Sequence, residues 1–314
     1  IRDRYGIAAH WKYKAGITGH DKLEERLAWI RQLIENQKEA DDVEDIVRSI
    51  KSDLSPEELY VSQYAAAALL ARVCNWGGDH ETAERYALEA LKGPFAFIRE
   101  EQIKNLFLGY TARTECIWGL HAPDMYLDVR SRLYPTRLTD ELDMVRDNYQ
   151  TIFRVSSFTS TNNDYRYQSY FTRTKWEHSV VLLTKFYDKY YDEEQIVPSG
   201  RIPGPNLVRL PELYYILAES VYDRDPAAAL EYLNTVVTAR GLHPIEAADI
   251  ATPASFREEL LNEIMKEFWG EGQIFATYKR FNLPMEGVNG KEHPATDDTY
   301  LLPLPESEES AGID

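Results

Sequence analysis

Cysteine is nearly absent from this chain. Two occur in 314 residues, Cys74 and Cys116, far apart and outside any C-x-x-C, so neither a disulfide framework nor a thiolate metal site is expected, and both read as small buried hydrophobes. No apolar run approaches the ~20 residues that a membrane-spanning helix needs. Positive charge is also short: 35 Lys and Arg stand against 52 Asp and Glu, a formal charge of −17. A field of that sign repels phosphate backbones and argues against sequence-independent nucleic-acid binding. Catalytic signatures are missing as well. There is no H-E-x-x-H, no G-x-S-x-G and no Walker loop, and the seven histidines are scattered at 10, 20, 80, 121, 178, 243 and 293. No catalytic residue, metal site or cofactor is expected. A glycoside hydrolase would need two facing carboxylates, and no such pair can be picked out among abundant Asp and Glu that read as solvated helix faces. The chain opens on Ile1-Arg2-Asp3-Arg4, without an apolar signal core or a cysteine placed for lipid attachment, so its start reads as the edge of a fragment.

What the sequence does contain is helical period. Residues 21–51 read as amphipathic helix, with Leu23, Leu27, Ile30, Leu33 and Ile34 on one face. Asp41-Asp42 interrupts it, and Val43, Ile46, Val47 and Ile50 form a second stripe. Leu59 to Val73 is apolar nearly all round, as in a helix buried on several sides. After the turn Asn75-Trp76-Gly77-Gly78, Asp79 is placed to cap a helix with the stripe Ala83, Tyr86, Ala87, Ala90 and Leu91. The design returns at 210–241: Leu210, Leu213, Tyr214, Leu217 and Val221, then Asp225-Pro226 as cap and first-turn proline, then Ala229, Leu230, Leu233 and Val237 up to Gly241. These are two tetratricopeptide-like helical hairpins, too far apart for a regular array. Ser255 with Glu258 reads as a capping box opening a third helix that runs to Gly270. The predicted fold class is mostly α.

Between the hairpins, over roughly 110–205, helical period is lost and Tyr, Ser, Thr, Asn and Arg accumulate. A long irregular stretch inside a compact domain is commonly where binding resides. Region 110–191 holds ten of the 21 tyrosines, together with Trp118 and Trp176. Sugar C–H faces stack on flat rings while amides and charged groups read the hydroxyls. The expected glycan contacts are therefore Trp118, Tyr126, Asn163, Tyr165, Tyr167, Tyr170 and Trp176. Trp269 and Tyr278 read as structural, and Lys279-Arg280 and the Glu306–Glu309 tail as solvated charge.

Two resemblances follow from longer motifs. Tyr64–Val73 with Gly78-Asp79, Arg209–Ser220, Ala229–Asn234, Glu263–Gln273 with Tyr278-Lys279-Arg280, and Tyr300–Pro305 together resemble the SusD/RagB family of Bacteroidetes outer-membrane nutrient-binding lipoproteins. The resemblance implies a SusD-like fold of tetratricopeptide-like hairpins with a large loop-rich region. It also implies a non-enzymatic cell-surface protein that passes a glycan or other nutrient to a TonB-dependent SusC-like transporter, with no nucleic-acid partner. Membrane association would run only through a lipid anchor absent from this chain. Residues 1–60 differ: Tyr5–Lys14, Leu27–Leu33, Lys51–Leu54 and Glu58–Val61 resemble the end of the synthetase domain of RelA/SpoT (p)ppGpp enzymes. That resemblance implies nucleotide contacts for His10, Lys12 and Lys14 in an inactive fragment of a GTP pyrophosphokinase, because the magnesium-binding part of the site is missing. The expected division is a RelA/SpoT-like fragment at 1–58 and a SusD/RagB-like helical binding domain at 59–314.

Overall fold

A computed structural model describes residues 62–103, 105–108, 114–120, 144–155, 162–173, 180–183, 185–186, 205–286 and 291–301. The expected helices at 21–51, and the 1–58 unit as a whole, lie outside the described residues. The first described helix, α1 (Gln63–Trp76), is capped by Ser62, whose side chain accepts from the Ala65 amide at 3.1 Å. Asp79 caps α2 (His80–Ala90) by accepting from the Thr82 amide at 3.1 Å, as its sequence position requires. The pair closes because both inner faces are alanine: Ala65, Ala68 and Ala71 on one side, Ala83, Ala87 and Ala90 on the other, all buried. Small side chains let the two backbones approach, and the hairpin then packs on α6 (Leu210–Val221) through Leu213, Ile216 and Leu217.

The second hairpin joins α6 to α7 (Pro226–Ala239). Asp225 caps α7 by accepting from the Ala228 amide at 3.0 Å, and Pro226 occupies the first turn, where it forfeits no hydrogen bond. At the other end Gly241 adopts φ +82°; its amide donates to Thr238 and that of Leu242 to Val237, the paired bonds of a Schellman stop. The long helix α8 (Pro253–Phe268) starts three residues before the expected box. Thr252 is the cap and Ser255 its reciprocal partner, because Pro253 is pre-set for the first helical position and shifts the start upstream. Gly270 and Gly272, both at φ +80°, turn the chain into α9 (Gln273–Phe281).

Strand is minor, as expected. In the central region β1 (Cys116–Gly119) pairs antiparallel with β5 (Asn206–Arg209), with Trp118 opposite Val208. A three-stranded sheet has the order β2 (Met144–Val145), β4 (Val180–Leu183), β3 (Phe171–Arg173). Short helices α4 (Arg146–Ile152) and α5 (Tyr165–Ser169) lie beside it. Among the described residues three apolar clusters form the core: one under the α1–α2 hairpin, one between α6, α7 and α8, and one built from the central region and α8, including Phe107, Tyr149, Phe153, Tyr167, Tyr170, Phe171 and Met265. Cys74 and Cys116 are of intermediate burial, less enclosed than the sequence reading supposed.

Candidate functional site

Helix α8 carries glutamates at 259, 263 and 267, and Glu271 follows one turn further on. Like charges four apart on a helix repel, so the row persists only if cations face it. They come from five places in the chain. Arg166 lies on α5, Arg209 at the end of β5, Arg240 at the C-cap of α7, Lys185 just after β4, and Lys266 on α8 itself. Glu259 pairs with the exposed Arg154 at the edge; with the other three glutamates, Glu115, just before β1, and Asp164, the cap of α5, complete five charges of each sign with side chains no more than 8% exposed.

The geometry is largely bidentate. Arg166 holds both oxygens of Asp164 at 2.8 Å and donates to Glu263 at 2.8 Å and Glu267 at 3.2 Å. Arg240 grips Glu115 at 2.7 and 2.8 Å and Glu267 twice at 2.9 Å. Arg209 pairs with Glu271 at 2.7 and 2.9 Å and with Glu267 at 2.5 Å. Planar forks matched to carboxylates are the strongest side-chain hydrogen bonds available, and here they join segments a hundred residues apart. Lys185 bonds Glu271 and the Glu267 carbonyl, with its ammonium 4.5 and 4.7 Å from the Tyr170 and Phe107 ring centroids.

The electrostatics follow. Burial alone would raise the Glu263 carboxyl, but Arg166 and Lys266 override it and hold it down to about 2. Burial likewise opposes ionisation of Glu267, and the guanidinium groups of Arg240 and Arg209 hold it well below the carboxylate range. Lys185 goes the other way: burial brings it down to about 8 against the pull of Glu271. A carboxyl whose folded pKa is depressed stabilises the fold above its unfolded value, 4.5, and that stability is lost as pH falls toward 2. Urea midpoints are therefore expected to stay level from pH 7 to 5 and to fall through pH 4.5 to 2, with Glu263 alone accounting for about 3 kcal/mol. A midpoint that stays level down to pH 3 would remove the network from the account of stability.

The sequence reading of these carboxylates as solvated charge is corrected: Glu263, Glu267 and Glu271 are inside because Arg166 from the central region, Arg209 from β5 and Arg240 from the end of α7 converge on them. The detectable signal was the four-residue glutamate period, 259-263-267-271. Arg280 is corrected too: it holds both oxygens of Glu219 at 2.7 and 3.0 Å. Lys279 is exposed, as read from sequence, and donates to the Tyr300 carbonyl at 3.1 Å. Glu212, at the N-terminus of α6, is gripped by Arg72 at 2.5 and 2.6 Å. The Glu306–Glu309 tail lies outside the described residues.

The network fastens α5, and α5 carries the expected sugar contacts. Asn163 is exposed and Tyr165 half-buried. Both lie over Gly241, where a Cβ would sit 2.3 Å from the Tyr165 ring and 2.7 Å from the Asn163 carbonyl, and the Tyr165 amide donates to the Arg240 carbonyl at 2.9 Å. Tyr167 and Tyr170 do not share this surface. Each is 1% exposed, with Tyr167 stacked on Tyr149 at 5.0 Å and Tyr170 against Phe107 at 5.5 Å, so neither has a free face for a sugar. Their expected role is corrected to core packing: on a short helix the residues two and five positions after Tyr165 turn inward, while the polar neighbours that suggested a wet loop are themselves buried in ion pairs. Trp118, 7% exposed, belongs to the core under the α1–α2 hairpin and is likewise a packing residue, in a different apolar cluster from Tyr167 and Tyr170. Tyr126, Trp176, His10, Lys12 and Lys14 lie outside the described residues. Trp269 and Tyr278 pack against the central cluster, in line with the structural role read from sequence.

Fold and site define a mostly helical, tetratricopeptide-like protein whose irregular central region is bolted to its helices by buried ion pairs. The chain belongs to the SusD family, whose profile matches residues 124–310. Solved structures agree on the fold. A SusD-like carbohydrate binding protein from Bacteroides vulgatus superposes with a TM-score of 0.63 at 20% identity, covering 86% of this chain and 63% of that one. A SusD-like protein from Bacteroides fragilis gives 0.62 at 15% identity, with 86% and 68% covered. One from Parabacteroides distasonis gives 0.61 at 16%, with 89% and 67% covered. The chain thus spans roughly two thirds of these relatives' length. A short segment matches other proteins: 56 residues are 45% identical to a GTP pyrophosphokinase of Myxococcus xanthus, covering 18% of this chain and 7% of that protein. A Streptomyces coelicolor GTP pyrophosphokinase matches at 38% over 77 residues, 9% of its length. Among the described residues no helix is long and apolar enough to cross a membrane, and no cluster of His, Cys, Asp or Glu could hold a metal ion.

Proposed function

We propose that this protein binds a glycan or other nutrient at the outer-membrane surface and hands it to a TonB-dependent SusC-like transporter. The observation that carries the reading is the SusD family match over 124–310, which spans most of the tyrosine-rich central region. The ligand surface is assigned to Tyr165, half-buried on a helix that the buried charges fasten, and to the exposed Asn163 just before that helix's cap, together with Tyr126 and Trp176 from the same region of the chain. A rigid aromatic loses little entropy on stacking, and the amide supplies hydroxyl recognition.

Isothermal titration of the full chain against an oligosaccharide panel tests this. Tyr165→Ala is expected to weaken glycan binding about tenfold, the ~1.4 kcal/mol of one stacking contact, while thermal stability changes little. An unchanged dissociation constant would remove Tyr165 from the site, and release of reducing sugar would overturn the non-enzymatic reading. A second reading has a specific observation behind it, the GTP pyrophosphokinase match. In that reading residues 1–58 are a RelA/SpoT-like fragment in which His10, Lys12 and Lys14 contact a nucleotide without turnover, and 59–314 form the binding domain. Binding of GTP with no response to any glycan would favour it.

A further inference from the structure

Helices α4, α7 and α9 end on the same backbone turn, with different residues at its left-handed position. At the stop of α7 that residue is Gly241 and at the stop of α9 it is Asn282, the types that take the conformation at least cost. At the stop of α4 it is Arg154, with φ +52°. Its amide donates to the Thr151 carbonyl at 3.1 Å and that of Val155 to Gln150 at 2.9 Å, the same pair of bonds. A long side chain kept at a costly backbone position points to a use for the side chain. The ion pair with Glu259, the most exposed carboxylate of the α8 row, does not exhaust it. Only Nη2 donates to Glu259, Nε and Nη1 have no partner among the described residues, and the side chain is 55% exposed. Whichever hydrogen Nη2 uses, one edge of the planar fork keeps two donors. The buried arginines differ, since Arg166, Arg209 and Arg240 each hold two or more carboxylates.

Arg154 also stands beside the assigned ligand surface. The Asn162 side chain donates to the Phe153 carbonyl at 3.0 Å and accepts from the Asp164 amide at 2.8 Å, which pins the stop of α4 to the turn before α5. Covalent geometry and that one hydrogen bond leave the Cα atoms of Arg154 and the exposed Asn163 no more than about 13 Å apart. From the other side, Glu259 and Glu263 lie one turn apart on α8 and take Arg154 and Arg166, so Arg154 is next in line to the helix that carries Tyr165. The carboxylates described there are both engaged, Glu259 by Arg154 and Asp164 through both oxygens by Arg166. We propose that the glycan taken by this surface is acidic, a uronate whose carboxylate meets the free edge of Arg154 while a neighbouring sugar ring packs on Tyr165. The inference rests on the glycan-binding reading above and adds the class of ligand. A guanidinium fork matches a planar carboxylate in shape and charge, which a neutral sugar hydroxyl does not. The chain's charge of −17 opposes an anion at long range only, because exposed charges are screened beyond about 8 Å at physiological salt.

Isothermal titration of the full chain compares galacturonate, glucuronate and mannuronate oligosaccharides with the same oligosaccharides after their carboxyl groups are reduced to primary alcohols. At least one uronate is expected to bind about tenfold or more tighter than its reduced form. Arg154→Gly, which suits the left-handed backbone and so keeps the stop of α4, should weaken the uronate until the two forms differ by less than about twofold. Tyr165→Ala should weaken both forms. Glu259→Gln, which releases Arg154 from its present partner, should tighten uronate binding severalfold. If Arg154 served the fold alone, Arg154→Gly and Glu259→Gln would act in the same direction; the proposal requires opposite directions. Equal affinity for every uronate and its reduced form, or the same loss in both variants, would overturn the acidic ligand and leave the glycan-binding reading standing. Tighter binding of a sulfated neutral oligosaccharide than of any uronate would overturn the carboxylate assignment. No binding of any oligosaccharide, acidic or neutral, would overturn both readings.

Discussion

Replacing Glu267 with glutamine is expected to destabilise the protein by about 3–5 kcal/mol, the cost of leaving buried charges without their partner. Its carboxylate accepts from Arg209 at 2.5 Å, from Arg240 twice at 2.9 Å, from Arg166 at 3.2 Å and from the Tyr170 hydroxyl at 3.4 Å. An amide of the same shape keeps one acceptor and turns an NH2 group toward guanidinium donors, so three arginines lose compensation where water cannot replace it. The whole lattice is not thereby a net source of stability, since taking ten charges out of water offsets much of their attraction. Breaking it is nevertheless costly. Urea unfolding of Glu267→Gln beside Glu231→Gln, an exposed site on α7 expected to stay within about 0.5 kcal/mol of the parent, measures the effect. If the two variants lie within 1 kcal/mol of each other, the arginines have other partners and the network does not hold the central region to α8.

The second large effect is expected at Gly241. An added methyl there must take the left-handed conformation at φ +82° and meets the Tyr165 ring at 2.3 Å and the Asn163 backbone oxygen at 2.7 Å. The first term is worth about 1–2 kcal/mol and the overlap about 1–3, so Gly241→Ala should destabilise by roughly 2–5 kcal/mol. Gly272 separates the two terms. It has φ +80° with nothing within 4 Å, and Gly272→Ala should show the conformational term alone. Because relief at 241 comes from moving Tyr165 and Asn163, Gly241→Ala should also weaken glycan binding, which Gly272→Ala should not. Equal losses for both alanines would mean that the Tyr165 ring swings away freely and that α5 is not held against α7.

Both predictions rest on features legible only in part from the residues. The helices were readable because their causes are local: Asp79 and Asp225 cap, Pro226 starts, Gly241 stops, and the alanine stripes of α1 and α2 specify close packing. The start of α8 was misplaced by three residues because Thr252 and Ser255 compete as caps, and Pro253 decides between them by its fixed φ. Where the central region is described, its helices are short, Arg146–Ile152 and Tyr165–Ser169, and strands appear beside them. Which of its tyrosines face out was not readable, because Tyr165, Tyr167 and Tyr170 have the same composition around them and differ only in what packs behind them.

The sequence by itself determined the hairpins, the mostly helical class and the SusD family, since periodicity, caps and small-residue stripes act over a few residues and survive without knowledge of the rest of the fold. Tertiary structure alone decided the charges. Whether a glutamate on α8 is solvated or buried depends on an arginine that the chain brings back, for Glu267 from 101 residues away; the glutamate period is visible in the sequence, but which cation answers it is not. It also decided that Trp118, Tyr167 and Tyr170 are core, that Tyr165 is half-buried and Asn163 exposed, and that α1 exposes Leu69, Val73 and Trp76.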